Sequence, residues 1–368
     1  MPRFGALRAC LLVLAALLAL SSTSGAARLT PGTQLPARIP DADFWALVTD
    51  VSEPGGFFRI TDNFTSNENE VGRMFEQLRQ RQVTGGVYLG VGPEQNFSYI
   101  AAVQPEMAFI VDIRRQAVMQ HLMFKAMFEL ARDRADFLSM LFAKPRPSGL
   151  QATTPIQKMW EAFFAVPTDL ALAARTRDRV VAHLTKTKKF TFTTEESAQL
   201  DAVLAAFAQY GPGITTRGGG GGGNSVTFAD LTGWSLDTTG QPQSFLSTEE
   251  HYRRVKSLHD RNLIVPVSGD FGGPKTLRAI GAWIAARGAT INAFYVSNVE
   301  QYLFQERKNG LFFANVAALP LGETSIFIRP YAMRRHGVAP SLCVIPPFLK
   351  AVEAGRVPSN NEALACAG

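Results

Sequence analysis

The stretch VYLGVGPEQNFSYIA, residues 87–101, decides how the chain is read. Its first half is a short apolar run, Val87, Leu89 and Val91, interrupted and closed by Gly90 and Gly92. That is the pattern of a strand buried on both faces of a parallel sheet, ending in a tight turn. EMAFIVDIRR, residues 106–115, repeats the form, with an apolar run at 108–111 that ends at an acid, Asp112. The residues between leave room for one helix, so the two runs make a βαβ unit. Asp112 follows Gly90 by 22 residues, close to the ~20 at which an acid reaches a ribose hydroxyl in nucleotide-binding units. A lone GxG is weak by itself, and an acid at a strand end also serves as a helix cap. The spacing is what makes Gly90, Gly92 and Asp112 candidates for a ligand site.

Working outward, a helix is expected to begin at 41–48, and Thr65 with Glu68 has capping-box spacing ahead of Val71, Phe75 and Leu78. Downstream, residues 116–142 lack Pro and Gly and are apolar around most of the helix circumference, which predicts one long buried helix. Further helical blocks are expected over 156–186, from Thr193 with Glu196 at capping-box spacing, and from Ser247 with Glu250. Six glycines, 218–223, predict a surface loop. A second βαβ follows: a strand at 263–267, the loop SGDFGGPK, a helix from Pro274 and a strand at 290–298. Apolar stretches at 311–318 and 325–328 are expected as edge strands. The pattern predicts an α/β, Rossmann-like doubly wound sheet over 85–340, with a largely helical insertion at about 116–262. A leader with helices at 28–84 precedes it and a tail at 341–368 follows.

A composition of 46% hydrophobic and 18% charged residues excludes a fibrous or disordered chain. At the start, Arg3 and Arg8 precede an apolar run at 9–20 and the small-residue exit SSTSGAA. This predicts a signal peptide over 1–27 and an exported, periplasmic or secreted protein with no stable membrane insertion after cleavage. The formal charge of +6 falls by Arg3 and Arg8 on cleavage. RTRDR and KTKK, at 175–179 and 186–189, are expected as a solvated face, with no aromatic interleaving of the kind nucleic-acid binding uses. Cys343 and Cys366 remain after cleavage and can pair in an oxidising compartment, but buried or idle thiols are the expectation. There is no GxSxG, Walker lysine loop or HExxH, and no histidine set has metal-ligand spacing. The expected partner is a small-molecule ligand.

In its motifs the chain resembles class I S-adenosylmethionine-dependent methyltransferases. VYLGVGPE is similar to their first motif and FIVDIRR to their second, in which an acid holds the cofactor ribose. The resemblance implies a fold of the methyltransferase type, S-adenosylmethionine as cofactor, and Gly90, Gly92 and Asp112 as its contacts. FYVSNVEQYL resembles the SN loop of some members, which puts Asn298 at the transfer site. The departures are Tyr88 for the usual acid, Pro93 in the turn, and Glu94 for the third glycine. Glu94 would set a carboxylate beside the cofactor, either favouring a sulfonium or excluding the ligand. Asp270, in a glycine-rich loop after a buried strand, is a candidate general base, or else caps the helix begun by Pro274. Residues 39–331 also resemble a family of uncharacterised bacterial proteins, including Leptospira hypothetical proteins, with this fold. Because S-adenosylmethionine is made in the cytosol, two readings stay open: a methyltransferase acting on a small acceptor, and a non-catalytic binding or structural protein that retains the fold.

Overall fold

The computed structural model describes residues 35–58, 62–68, 71–219, 225–329 and 341–366. The expected signal peptide at 1–27 and glycines 220–223 lie outside them. Among the described residues there is a mixed α/β fold built on a six-stranded sheet of order β3-β2-β1-β4-β5-β6. The strands are β1 (Val87–Gly90), β2 (Met107–Asp112), β3 (Ile264–Ser268), β4 (Ile291–Tyr295), β5 (Leu321–Arg329) and β6 (Ser341–Val344). The first five run parallel, and β6 is antiparallel to β5.

Every residue of β1, β2 and β3 is buried, which requires cover on both faces and explains why these strands read as continuous apolar runs. From β1 the chain steps outward through helix Gln95–Val103 to β2 and then to β3, and returns through helix Thr276–Ala285 to β4 on the other side of β1. The strand order therefore reverses between β1 and β4, and a crevice opens there beyond the strand ends.

The expected helical insertion lies between β2 and β3. The long helix expected at 116–142 is instead two, Arg115–Leu130 and Arg134–Leu141. Ala131 is extended, and the Asp133 side chain accepts a 2.8 Å hydrogen bond from the Asp136 amide. A local N-cap outweighs the continuous apolar pattern at that point. At Thr193 the capping box with Glu196 forms as expected, whereas helix Glu249–Asp260 is capped by Thr248 and not Ser247. The insertion packs onto helix Gln95–Val103 through aromatic edges, with Phe97 touching the rings of Phe124, Phe128 and Phe245.

A buried ionic cluster locks the same block. Lys125 donates to Glu129 at 2.8 Å and to Asn262 at 2.5 Å. Glu129 also meets Lys188 at 3.0 Å and His183 at 2.5 Å, and Lys188 reaches Asp41 at 3.1 Å.

Two late expectations are overturned. Residues 311–318 are not a strand but belong to helix Asn309–Ala317, because Phe312, Phe313 and Val316 share one helical face and are buried together. The tail beyond 340 supplies β6 and helices Ile345–Glu353 and Asn360–Leu364. Its cysteines are not idle: Cys343 and Cys366 form a disulfide across 23 residues. No helix among the described residues is long and apolar enough to cross a membrane.

Candidate functional site

The crevice between β1 and β4 continues into a cavity of about 150 Å³. Four strand ends contribute to its lining, Val91 to Pro93 after β1, Val111 to Arg114 at β2, Gly269 to Phe271 after β3, and Tyr295 with Ser297 to Val299 after β4, and residues of the 58–67 segment, Thr216 and the helix from Val299 complete it. Gly92, Asp112, Asp270 and Asn298, far apart in sequence, all face it. Gly90 and Glu94 are not among the lining residues.

The two glycines of the opening stretch have different work. Gly92 has φ +77°, a conformation that disfavours side chains, and the nearest atom to a Cβ there would be Asn63 Nδ2 at 3.9 Å. Its backbone is open to the cavity. A Cβ on Gly90 would lie 1.9 Å from Asn96 Oδ1. Gly90 thus makes room for Asn96, whose Nδ2 donates to the carbonyls of Val91, Gly92 and Pro93 at 2.9, 3.2 and 2.7 Å. Its Oδ1 accepts from the Tyr88 hydroxyl at 2.9 Å. Tyr88, which stands where the methyltransferase motif has an acid, and Asn96 together fix the turn from behind.

His121 also bonds the Gly92 carbonyl, at 2.8 Å. A carbonyl only accepts, so Nε2 carries the proton, and burial lowers this imidazole to about 4, leaving it neutral. Glu94 is 1% exposed and receives one backbone bond, from Ser66 at 3.2 Å. Burial raises its carboxyl to about 8, so it is mostly protonated at neutral pH and brings little charge to the cavity.

Asp112 is braced by its neighbour. Its Oδ1 accepts from the Arg114 amide at 2.9 Å and Nε at 3.0 Å, and its Oδ2 from the guanidinium at 2.9 Å. Asp270 accepts from the Gly272 amide at 2.9 Å and from Lys308 at 3.2 Å. It does not cap the helix that follows. Glu53 does, accepting from the Lys275 and Thr276 amides at 2.9 Å each.

Behind the β4 end lies a group whose connections the sequence did not announce. The Thr65–Glu68 capping box does not form: the Thr65 hydroxyl donates to the Ser66 carbonyl, and the helix begins at Val71. Glu68 turns inward, is 6% exposed, and accepts from Tyr295 at 2.9 Å, Ser297 at 2.6 Å and Gln95 at 2.9 Å. Burial, and after it the Glu68 charge, raise the Tyr295 phenol well above its ordinary range. Ser297 has φ +48°, uncommon for a residue with a side chain. Asn298, a residue type that caps helices well, makes no cap for helix Val299–Gln305.

Among the described residues, no three His, Cys, Asp or Glu side chains form a group able to hold a metal ion. The site therefore offers hydrogen-bonding and apolar surface: carboxylates, hydroxyls and amides around Val91, Val111, Ile113 and Phe271. No curated protein matches the chain. Residues 63–198 and 232–344, more than half of the sequence, match the family described as Domain of unknown function (DUF7790), and the protein belongs to that family.

Proposed function

We propose that the chain binds a small molecule of the S-adenosylmethionine type in the β1–β4 cavity and transfers a methyl group to a small acceptor. The observation that carries this reading is the convergence of Gly92 and Asp112, from two strand ends, on one cavity at the reversal of strand order. The residues present suit such a cofactor. The open backbone at Gly92 admits close approach, Asp112 offers carboxylate oxygens to ribose hydroxyls, and Val111, Ile113 and Phe271 supply apolar cover for a base. The bound group supplies an activated methyl. Asp270 and Asn298, on the far strands, are the residues placed to orient an acceptor and to take up its proton at an Asp270 carboxylate oxygen. For Asp112 to serve a ribose, part of its bidentate contact with Arg114 has to open. Equilibrium dialysis with labelled S-adenosylmethionine tests the binding: retention that unlabelled S-adenosylhomocysteine competes away supports the reading, and no retention ends it.

The second reading, a non-catalytic binding protein on the same fold, draws on the neutral Glu94 and the self-satisfied Asp112–Arg114 pair. It predicts ligand retention without methyl loss when small-molecule acceptors are added. We further propose export, on the pattern of residues 1–27. Mass spectrometry of the native protein tests it through a new N-terminus at residue 27 or 28.

A further inference from the structure

At the end of β4 two local rules are broken side by side, and both breaks face the cavity. Ser297 holds a left-handed backbone, at φ +48°, a conformation unfavourable for a residue with a Cβ. Asn298 forgoes the cap its side chain is suited to make. Strain that the surroundings maintain points to a use for the geometry. The hydrogen bonds show what the use is. A hydroxyl has one proton and two lone pairs. Ser297 commits its proton to Glu68 Oε1 at 2.6 Å, and Tyr295 commits its proton to Oε2 at 2.9 Å. Both residues line the cavity, so towards a ligand each hydroxyl has lone pairs to offer and no proton. Gln95, which can only donate through its Nε2, takes a further position on Oε2 at 2.9 Å and keeps the carboxylate turned this way.

We propose that Ser297 and Tyr295, oriented by Glu68, form an acceptor corner that selects ligands presenting N–H or O–H donors, an alkylammonium or alcohol group, and rejects their fully alkylated counterparts. Asn298 adds a side-chain amide to the same wall. Glu68 acts through the two hydroxyls and is a positioning residue. The inference rests on the β1–β4 cavity being the ligand site and not on which cofactor occupies it.

The test uses matched probes of equal charge: 2-phenylethylamine against its N,N,N-trimethylammonium derivative, and 2-phenylethanol against its methyl ether, each titrated against the full chain by ligand-observed NMR. The donor-bearing member of each pair is expected to bind about threefold to tenfold more tightly, the worth of one hydrogen bond. Ser297→Gly removes the hydroxyl while relieving the left-handed strain, so the variant is expected to fold, and it should bring the two members of a pair together. Glu68→Gln should reduce the preference while leaving a measurable melting transition. Equal binding of both members, binding of neither, or a preference that survives both substitutions overturns the proposal. Competition by S-adenosylmethionine is scored separately: its absence counts against the cofactor alone and leaves the donor preference standing.

Discussion

The Lys125–Glu129 cluster and the cavity wall at β4 both bury polar chemistry, and they close it differently. In the cluster, every charge is answered inside the molecule. Burial alone would raise Glu129, yet His183, Lys125 and Lys188 hold it down at about 2, while burial brings Lys125 down to about 8. The contacts join helix Arg115–Leu130 to the turn at His183–Thr187, to Asn262 and to the first helix at Asp41. At the wall, Ser297 is strained, Asn298 does not cap, and two hydroxyls that line a cavity donate to Glu68. A buried charge is therefore no functional signal in itself. What separates the two regions is whether the local costs are recovered within the protein.

The largest effect should come from breaking the closed region. Glu129→Leu leaves Lys125 and Lys188 without their shared acid, and chemical denaturation should show a loss of about 3–5 kcal/mol. Probe binding by the folded fraction should be unchanged.

Next comes pH. Glu94, ordinarily at 4.5, sits at about 8 in the fold. Below pH 4.5 both states are protonated and it costs nothing. As pH rises from 4.5 to 8 the unfolded chain sheds a proton that the folded chain keeps, and stability falls. Glu94→Gln should remove that slope, raising stability more at pH 8 than at pH 5, by a few kcal/mol at ~1.4 kcal/mol per pH unit, which thermal melts at the two pH values read out. The acid limb has the opposite origin. His121, lowered from 6.5 to about 4, and His259, held well below its ordinary range by burial, stay neutral while the unfolded chain takes up protons. Stability therefore falls as pH drops through 6.5 towards 4, and this limb should survive in Glu94→Gln.

The two glycines sharpen the comparison at smaller scale. Gly90→Ala drives a Cβ into Asn96 and should cost about 1–3 kcal/mol of stability through overpacking. Gly92→Ala meets open space at φ +77° and should cost only about 1 kcal/mol, with its main effect on ligand affinity. Thermal melts with and without probe distinguish the two.

Much of the frame was legible because it is local. Apolar runs gave β1 to β4 within a few residues, and the Thr193 box formed as spaced. Gly92, Asp112, Asp270 and Asn298 converge because strand ends in a doubly wound sheet share one edge. What was hidden depended on distance or on local competition. Glu68 had capping-box spacing with Thr65, but its partners Tyr295 and Ser297 lie 227 and 229 residues away. Gly90 carried the same motif as Gly92, and only the position of Asn96 separates a packing glycine from a cavity glycine. The Asp133 cap was masked by the apolar run around it.

The central claim is that the β1–β4 cavity holds a ligand of the S-adenosylmethionine type against Asp112. Calorimetric titration of the chain with S-adenosylmethionine, beside Asp112→Asn, tests it most directly. The account predicts saturable heat at one site in the native chain and its loss in the variant, which should still melt cooperatively although at a lower temperature because Arg114 loses its buried acid. Absence of heat at millimolar ligand, or equal binding by Asp112→Asn, would contradict it.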